Sequence, residues 1–142
     1  RRQRQMCIRD RPIVNENDTI SVTELMFTDN DELSGLVAAM MNAEALIILS
    51  NIDGIYDGSP ADPASQVIRR VKPSEDLSQY IDPVRSSRGR GGMATKLRAA
   101  KMVTAAGCDM IITNGERPQV LYDVADGKAV GTRFLGKKSG ID

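Results

Sequence analysis

The chain has 142 residues and balances nineteen Lys and Arg against nineteen Asp and Glu, so no basic surface argues for nucleic acid as its main partner. It has no histidine, and its cysteines are Cys7 and Cys108 alone, which excludes histidine-dependent triads, imidazole-ligated metals, a disulfide framework and a CxxC zinc site. The longest apolar run, residues 45–49, is far too short to cross a bilayer, so no membrane partner is expected and a cytoplasmic location fits.

Residues 1–11 carry five arginines with no hydrophobic period and read as a basic tail, non-native or disordered, outside the folded unit. Pro12-Ile13-Val14 reads as a short strand emptying into Asn15-Glu16-Asn17-Asp18. Ligand sites in open α/β sheets gather at the carboxyl ends of strands, so these polar residues are placed for substrate. A surface turn rich in Asn and Asp is the competing reading.

Apolar residues at Leu33, Leu36, Val37, Met40 and Met41 predict a helix over 32–42, which puts Thr28-Asp29-Asn30-Asp31 at its N-terminus. Asn30 or Asp31 there is either a helix cap or part of a site, and a cap needs one residue where several polar ones stand. Residues 45–49 read as a strand buried on both faces, ending at Ser50-Asn51 with a turn at Asp53-Gly54. A loop follows over 57–65, then a short edge strand over 67–71, and a short helix over 74–81 with Ser74 as its cap. A Ser-, Arg- and Gly-dense segment over 82–92 leads into the most secure helix, residues 93–106, with Met93, Leu97, Ala100 and Val103 on one face and Gly107 as its stop. Residues 109–113 predict another buried strand, residues 118–124 a helix with Pro118 in its first turn, and residues 131–135 a last strand. Cys108, beside Gly107 and ahead of an apolar run, reads as a core residue. Strand and helix alternate, which predicts an α/β, three-layer αβα sandwich with a mainly parallel sheet. The folded unit is expected over 12–136, with a polar tail over 137–142.

The densest chemical signal is Gly89-Arg90-Gly91-Gly92-Met93-Ala94-Thr95-Lys96, where a glycine-rich turn enters a helix. Such a turn lets backbone N–H groups approach a ligand, and a helix start followed by a lysine favours an anion. It is either a phosphate cradle or a flexible connection, and it does not match the Gly-x-x-x-x-Gly-Lys-Ser/Thr pattern.

Five stretches in order carry a more specific resemblance: residues 12–18, Asp29-Asn30-Asp31 ahead of Leu33-Ser34, Leu49-Ser50-Asn51 with Gly54-Ile55-Tyr56, the Gly91-to-Lys96 loop, and Val130-Gly131-Thr132 with Phe134. Together these resemble the amino acid kinase family, in its branch that phosphorylates the side-chain carboxylate of glutamate, over roughly residues 12–136. The resemblance implies transfer of the γ-phosphoryl of ATP, with Mg²⁺, to L-glutamate in proline biosynthesis, and a homo-oligomer when the protein is complete. It implies Asp31 and Lys96 as catalytic residues and Asp18, Asn30 and Asn15 as substrate contacts. Ser50, Asn51, Arg90, Gly91, Gly92, Met93, Ala94, Thr95 and Lys96 are implied nucleotide contacts, and no protein side chain is assigned to the metal. Arg90 stands where the family usually has Thr, and Asn51 where an acidic residue is common. Nothing before Pro12 resembles the family's opening strand and loop with a further lysine, so the chain is expected to be the second part of a kinase domain. A fragment that only binds nucleotide or forms oligomers, or a kinase with another acceptor, are the alternatives.

Overall fold

A computed structural model describes residues 11–15, 30–59, 61–76 and 92–137. Its elements are α1 (Asn30–Met40), β1 (Ala45–Ser50), β2 (Arg70–Val71), α2 (Met93–Ala105), β3 (Asp109–Asn114), α3 (Val120–Ala125) and β4 (Thr132–Phe134). The strands form one sheet in the order β1-β3-β4-β2. β1 lies parallel to β3 with Ala45 opposite Asp109 and Ser50 opposite Asn114, and β2 lies parallel to β4.

Helix α1 begins two residues before the expected start, so Asn30 and Asp31 lie in its first turn rather than outside it as caps. Asp31 and Glu32 there suit the positive end of the helix dipole. Helix α2 falls where its periodicity placed it, and Gly107, at φ +86°, ends it in a conformation that suits glycine. The Cys108 N–H reaches back to the Val103 carbonyl at 3.0 Å. The face of α2 buried most deeply is lined by Ala99, Ala100 and Val103, with Met93 and Leu97 packed at its margin. Small side chains dominate this face because α1 comes close: a Cβ added to Gly35 would stand 3.3 Å from the Ala99 Cβ.

β3 is the central strand. Met110 and Ile112 are fully enclosed and join Val103, Cys108 and Phe134 in the core between the sheet and α2. Side chains alternate across a strand, so Ile111 faces the other way, where it lines a small hollow with Val124 of α3 and Arg133. Helices therefore flank the sheet on both sides.

Three expectations need correction. Residues 12–14 form no strand; Ile13 is 97% and Val14 58% exposed, and among the described residues no neighbour pairs with them. A strand is held by its ladder, and Pro12 brings no donor to one. β1 is not buried on both faces: it is the end strand of the described sheet, with Ala45 and Leu49 exposed and Ile48 buried. The sheet is mainly parallel, as expected, with one antiparallel pairing of β4 against β3 that sets Ile112 opposite Thr132 and Met110 opposite Phe134. Residues 74–76 form no helix, and the rest of that expected element, residues 77–81, lies outside the described residues, as do 82–91.

Candidate active site

The topology gathers the polar motifs at one edge of the sheet. Short links at residues 41–44 and 106–108 join α1 to β1 and α2 to β3, so each helix runs back along the strand it precedes. The N-termini of α1 and α2 therefore meet the carboxyl ends of β1 and β3, the edge at which open α/β sheets bind ligands.

At that edge the Lys96 Nζ donates to Asp31 Oδ2 at 2.8 Å, joining α2 to α1 across 65 positions of sequence. Both side chains are largely withdrawn from solvent, at 13% and 19% exposure, so the pair is held better than a surface ion pair. Lys96 is one turn into α2, whose cap is Gly92 and bears no capping side chain. By helix geometry the N–H groups of Met93 and Ala94 have no acceptor within the helix. Thr95 turns inward: its N–H and its hydroxyl both bond the Gly92 carbonyl, at 3.1 and 2.7 Å. A glycine cap with donors ahead of a lysine fits an anionic phosphate.

Asn30 donates through Nδ2 to Asn15 Oδ1 at 3.2 Å, which brings Asn15 beside the first turn of α1. Ser50 donates to Asn51 Oδ1 at 3.4 Å at the end of β1. Asp18, Arg90 and Gly91 lie outside the described residues. Among the expected contacts, then, Asn15 with Asn30 and Asp31 with Lys96 are paired directly, and Met93, Ala94 and Thr95 form the first turn behind Gly92.

Asp53, which in sequence marks only a turn, proves to join the ends of two strands. It accepts from the Asn114 amide at 2.9 Å and from the Tyr56 hydroxyl at 3.3 Å. On one side of it lies a cleft of about 290 Å³ lined by Asn51, Tyr56 and Met93. On the other lies a cleft of about 440 Å³ lined by Arg69, Asn114, Arg117, Val120 and Val130. Loss of hydration first, then the charge and hydrogen bond of Asp53, push the Tyr56 phenol above its ordinary value, while Arg69 pulls the other way. Thr132, fully buried, accepts the Ile55 N–H at 2.8 Å and ties this corner to β4. Asp53 stands in the turn after one apolar run and Asn114 closes another, and nothing in either stretch of sequence indicates their pairing.

The amino acid kinase family matches this chain over residues 4–114, and the chain belongs to that family. Within it, a glutamate 5-kinase of Bacteroides thetaiotaomicron is 62% identical over 126 residues, covering 87% of this chain and 35% of that protein. A glutamate 5-kinase of Clostridium perfringens is 46% identical over 133 residues, covering 89% of this chain and 49% of that protein. The chain thus spans about a third to a half of the length of these relatives. Among solved structures, a carbamate kinase from Giardia lamblia bound to AMP-PNP superposes with a TM-score of 0.57 at 28% identity, over 77% of this chain and 32% of that one. A uridylate kinase from Archaeoglobus fulgidus superposes with a TM-score of 0.53 at 20% identity, over 74% of this chain and 46% of that one, and shows the shared fold.

Proposed function

We propose that this chain forms part of a glutamate 5-kinase, which transfers the γ-phosphoryl of ATP to the side-chain carboxylate of L-glutamate. The observation that carries the reading is the Lys96–Asp31 pair, 2.8 Å apart where two helix N-termini meet the carboxyl edge of the sheet. The relatives named glutamate 5-kinase support the choice of acceptor.

A carboxylate acceptor is ionised at neutral pH, so the reaction needs no general base, and a chain without histidine can serve it. What it needs is alignment and positive charge against the phosphoryl oxygens. Lys96 supplies the charge, and Asp31 holds its ammonium in place when no phosphate is present. Gly92 and the first-turn N–H groups of Met93 and Ala94 receive phosphate oxygens, together with Arg90 and Gly91, while Thr95 braces the turn from within through its bonds to the Gly92 carbonyl. Ser50, Asn51 and the clefts beside Asp53 receive the rest of the nucleotide. Asn15, Asp18 and Asn30 pair with the ammonium and carboxylate ends of glutamate. Mg²⁺ bound with the triphosphate would supply further charge compensation on the phosphoryl oxygens, with no protein side chain assigned to it. The complete protein works in the cytoplasm as a homo-oligomer, and among the described residues no helix is long and apolar enough to cross a membrane.

The test uses the complete protein that carries this chain. With MgATP, L-glutamate and hydroxylamine it is expected to form glutamyl hydroxamate. No hydroxamate above the protein-free control refutes the reading, and faster turnover with carbamate or a nucleoside monophosphate reassigns the acceptor.

A further inference from the structure

Asp53 stands where the two clefts at the carboxyl edge of the sheet meet, and it lines both. The residue is exposed, and its carboxylate takes no part in the ion pairs formed among the described residues. Uncharged donors hold it instead, the Asn114 amide on Oδ1 at 2.9 Å and the Tyr56 hydroxyl on Oδ2 at 3.3 Å. We propose that Asp53 is a specificity-determining residue that accepts the ribose hydroxyls of the nucleotide. This deepens the kinase reading and rests on it, because that reading sets the phosphates of ATP against the first turn of α2.

Order, charge and shape carry it. Met93, in the first turn of α2, lines the same cleft of about 290 Å³ as Asp53, and Asp53 also borders the next cleft, of about 440 Å³. A nucleotide whose phosphates sit at that turn therefore meets Asp53 with the group that follows them, the ribose. A carboxylate repels phosphate and matches hydroxyl donors, so the two parts of the nucleotide cannot exchange places. An ionised carboxylate offers about four acceptor positions, and Asn114 and Tyr56 each occupy one, on different oxygens. Each oxygen keeps a position for a hydroxyl, which suits the adjacent donors of a 2′,3′-diol, and a bond to an ionised acceptor is of the stronger kind. Because both oxygens are already held, the carboxylate is aimed before the ligand arrives, and little ordering is left to oppose binding. Beyond Asp53, the larger cleft has Val67, Val120 and Val130 in its wall beside Arg117. Such a wall offers apolar contact to the flat faces of a base.

The closing experiment compares ATP with 2′-deoxy-ATP and 3′-deoxy-ATP, each with Mg²⁺, on the complete protein and on its Asp53→Asn variant, with circular dichroism confirming the fold. In the unaltered protein KM is expected to be about tenfold higher for either deoxynucleotide than for ATP. kcat should stay within about twofold, because a bond to an unreacting hydroxyl acts on ground and transition states alike. In Asp53→Asn the KM for ATP should rise about tenfold and the preference over the deoxynucleotides should shrink to about twofold. No preference in the unaltered protein overturns the proposal. So does a KM raised by the same factor for all three nucleotides in Asp53→Asn, the result expected of a residue that merely braces the corner. If Asp53→Asn does not fold, Tyr56→Phe decides: it loosens the carboxylate and keeps its charge, so the preference should weaken by about threefold, and an unchanged preference overturns the proposal. Calorimetric binding of the three nucleotides without glutamate gives a readout apart from turnover. A protein that binds ATP with this preference yet forms no hydroxamate loses the glutamate acceptor and keeps the ribose contact, whereas one that binds no ATP refutes both.

Discussion

Replacing Gly131 by alanine tests how β4 is joined to the centre of the sheet. Gly131 has φ +61°, and a Cβ there would stand 1.9 Å from the Ile112 carbonyl oxygen and 2.9 Å from the Thr113 Cβ. The left-handed conformation alone costs an alanine about 1–2 kcal/mol. The contact with a backbone oxygen of the central strand cannot be relieved by a side-chain rotation. β4 must instead move off β3, at the expense of ladder hydrogen bonds worth about 1 kcal/mol each. The sum is about 3 kcal/mol or more, which for a unit of this size lowers Tm by roughly 10 °C. Gly127 supplies the control, because its φ is +73° yet nothing stands within 4 Å of an added Cβ. Gly127→Ala should therefore show the conformational cost alone, about 1 kcal/mol and roughly 3 °C. The assay is paired thermal unfolding followed by circular dichroism. Equal shifts for the two variants would refute the close approach of Gly131 to Ile112.

Three further outcomes are expected. Lys96→Ala in the complete protein should lower kcat by about a hundredfold or more, with the fold intact by circular dichroism; a near-native rate removes Lys96 from the mechanism. Thr132→Val keeps the volume of a fully buried side chain but leaves the Ile55 N–H without its 2.8 Å acceptor, which should cost about 1–3 kcal/mol in denaturant unfolding; no loss means the N–H finds another partner. Burial first, and the neighbouring Asp109 charge second, push the Cys108 thiol up against a lowering hydrogen bond from the Leu46 backbone. The folded state therefore holds this proton more tightly than the unfolded chain, so the stability it adds is complete below about pH 8.5 and falls as pH rises through the folded value. Urea midpoints measured from pH 7 to pH 10 should decline less in Cys108→Ala than in the unaltered protein, and equal declines remove Cys108 as a source.

Local pattern was enough to locate most elements of this protein. The helical period through Leu97, Ala100 and Val103, with Gly107 at its end, marked α2 to within a residue, and the unbroken apolar run at Met110, Ile111 and Ile112 marked β3. Both signals are short-range, since a helix face and a buried strand are written in neighbouring side chains. The family, too, was readable from ordered motifs. What the linear text did not contain was who faces whom. The antiparallel pairing of β4 with β3 and the exposure of β1 depended on where each strand takes its place in the described sheet. Asp53 looked like a turn residue until the ends of β1 and β3 came together and set it against Asn114. Lys96 and Asp31 were each legible as candidates, but their bond required α1 and α2 to pack side by side with Gly35 against Ala99. Periodicity decides which faces of a chain are buried. Pairing between charges 65 positions apart is decided only when the packed helices bring them within hydrogen-bond reach.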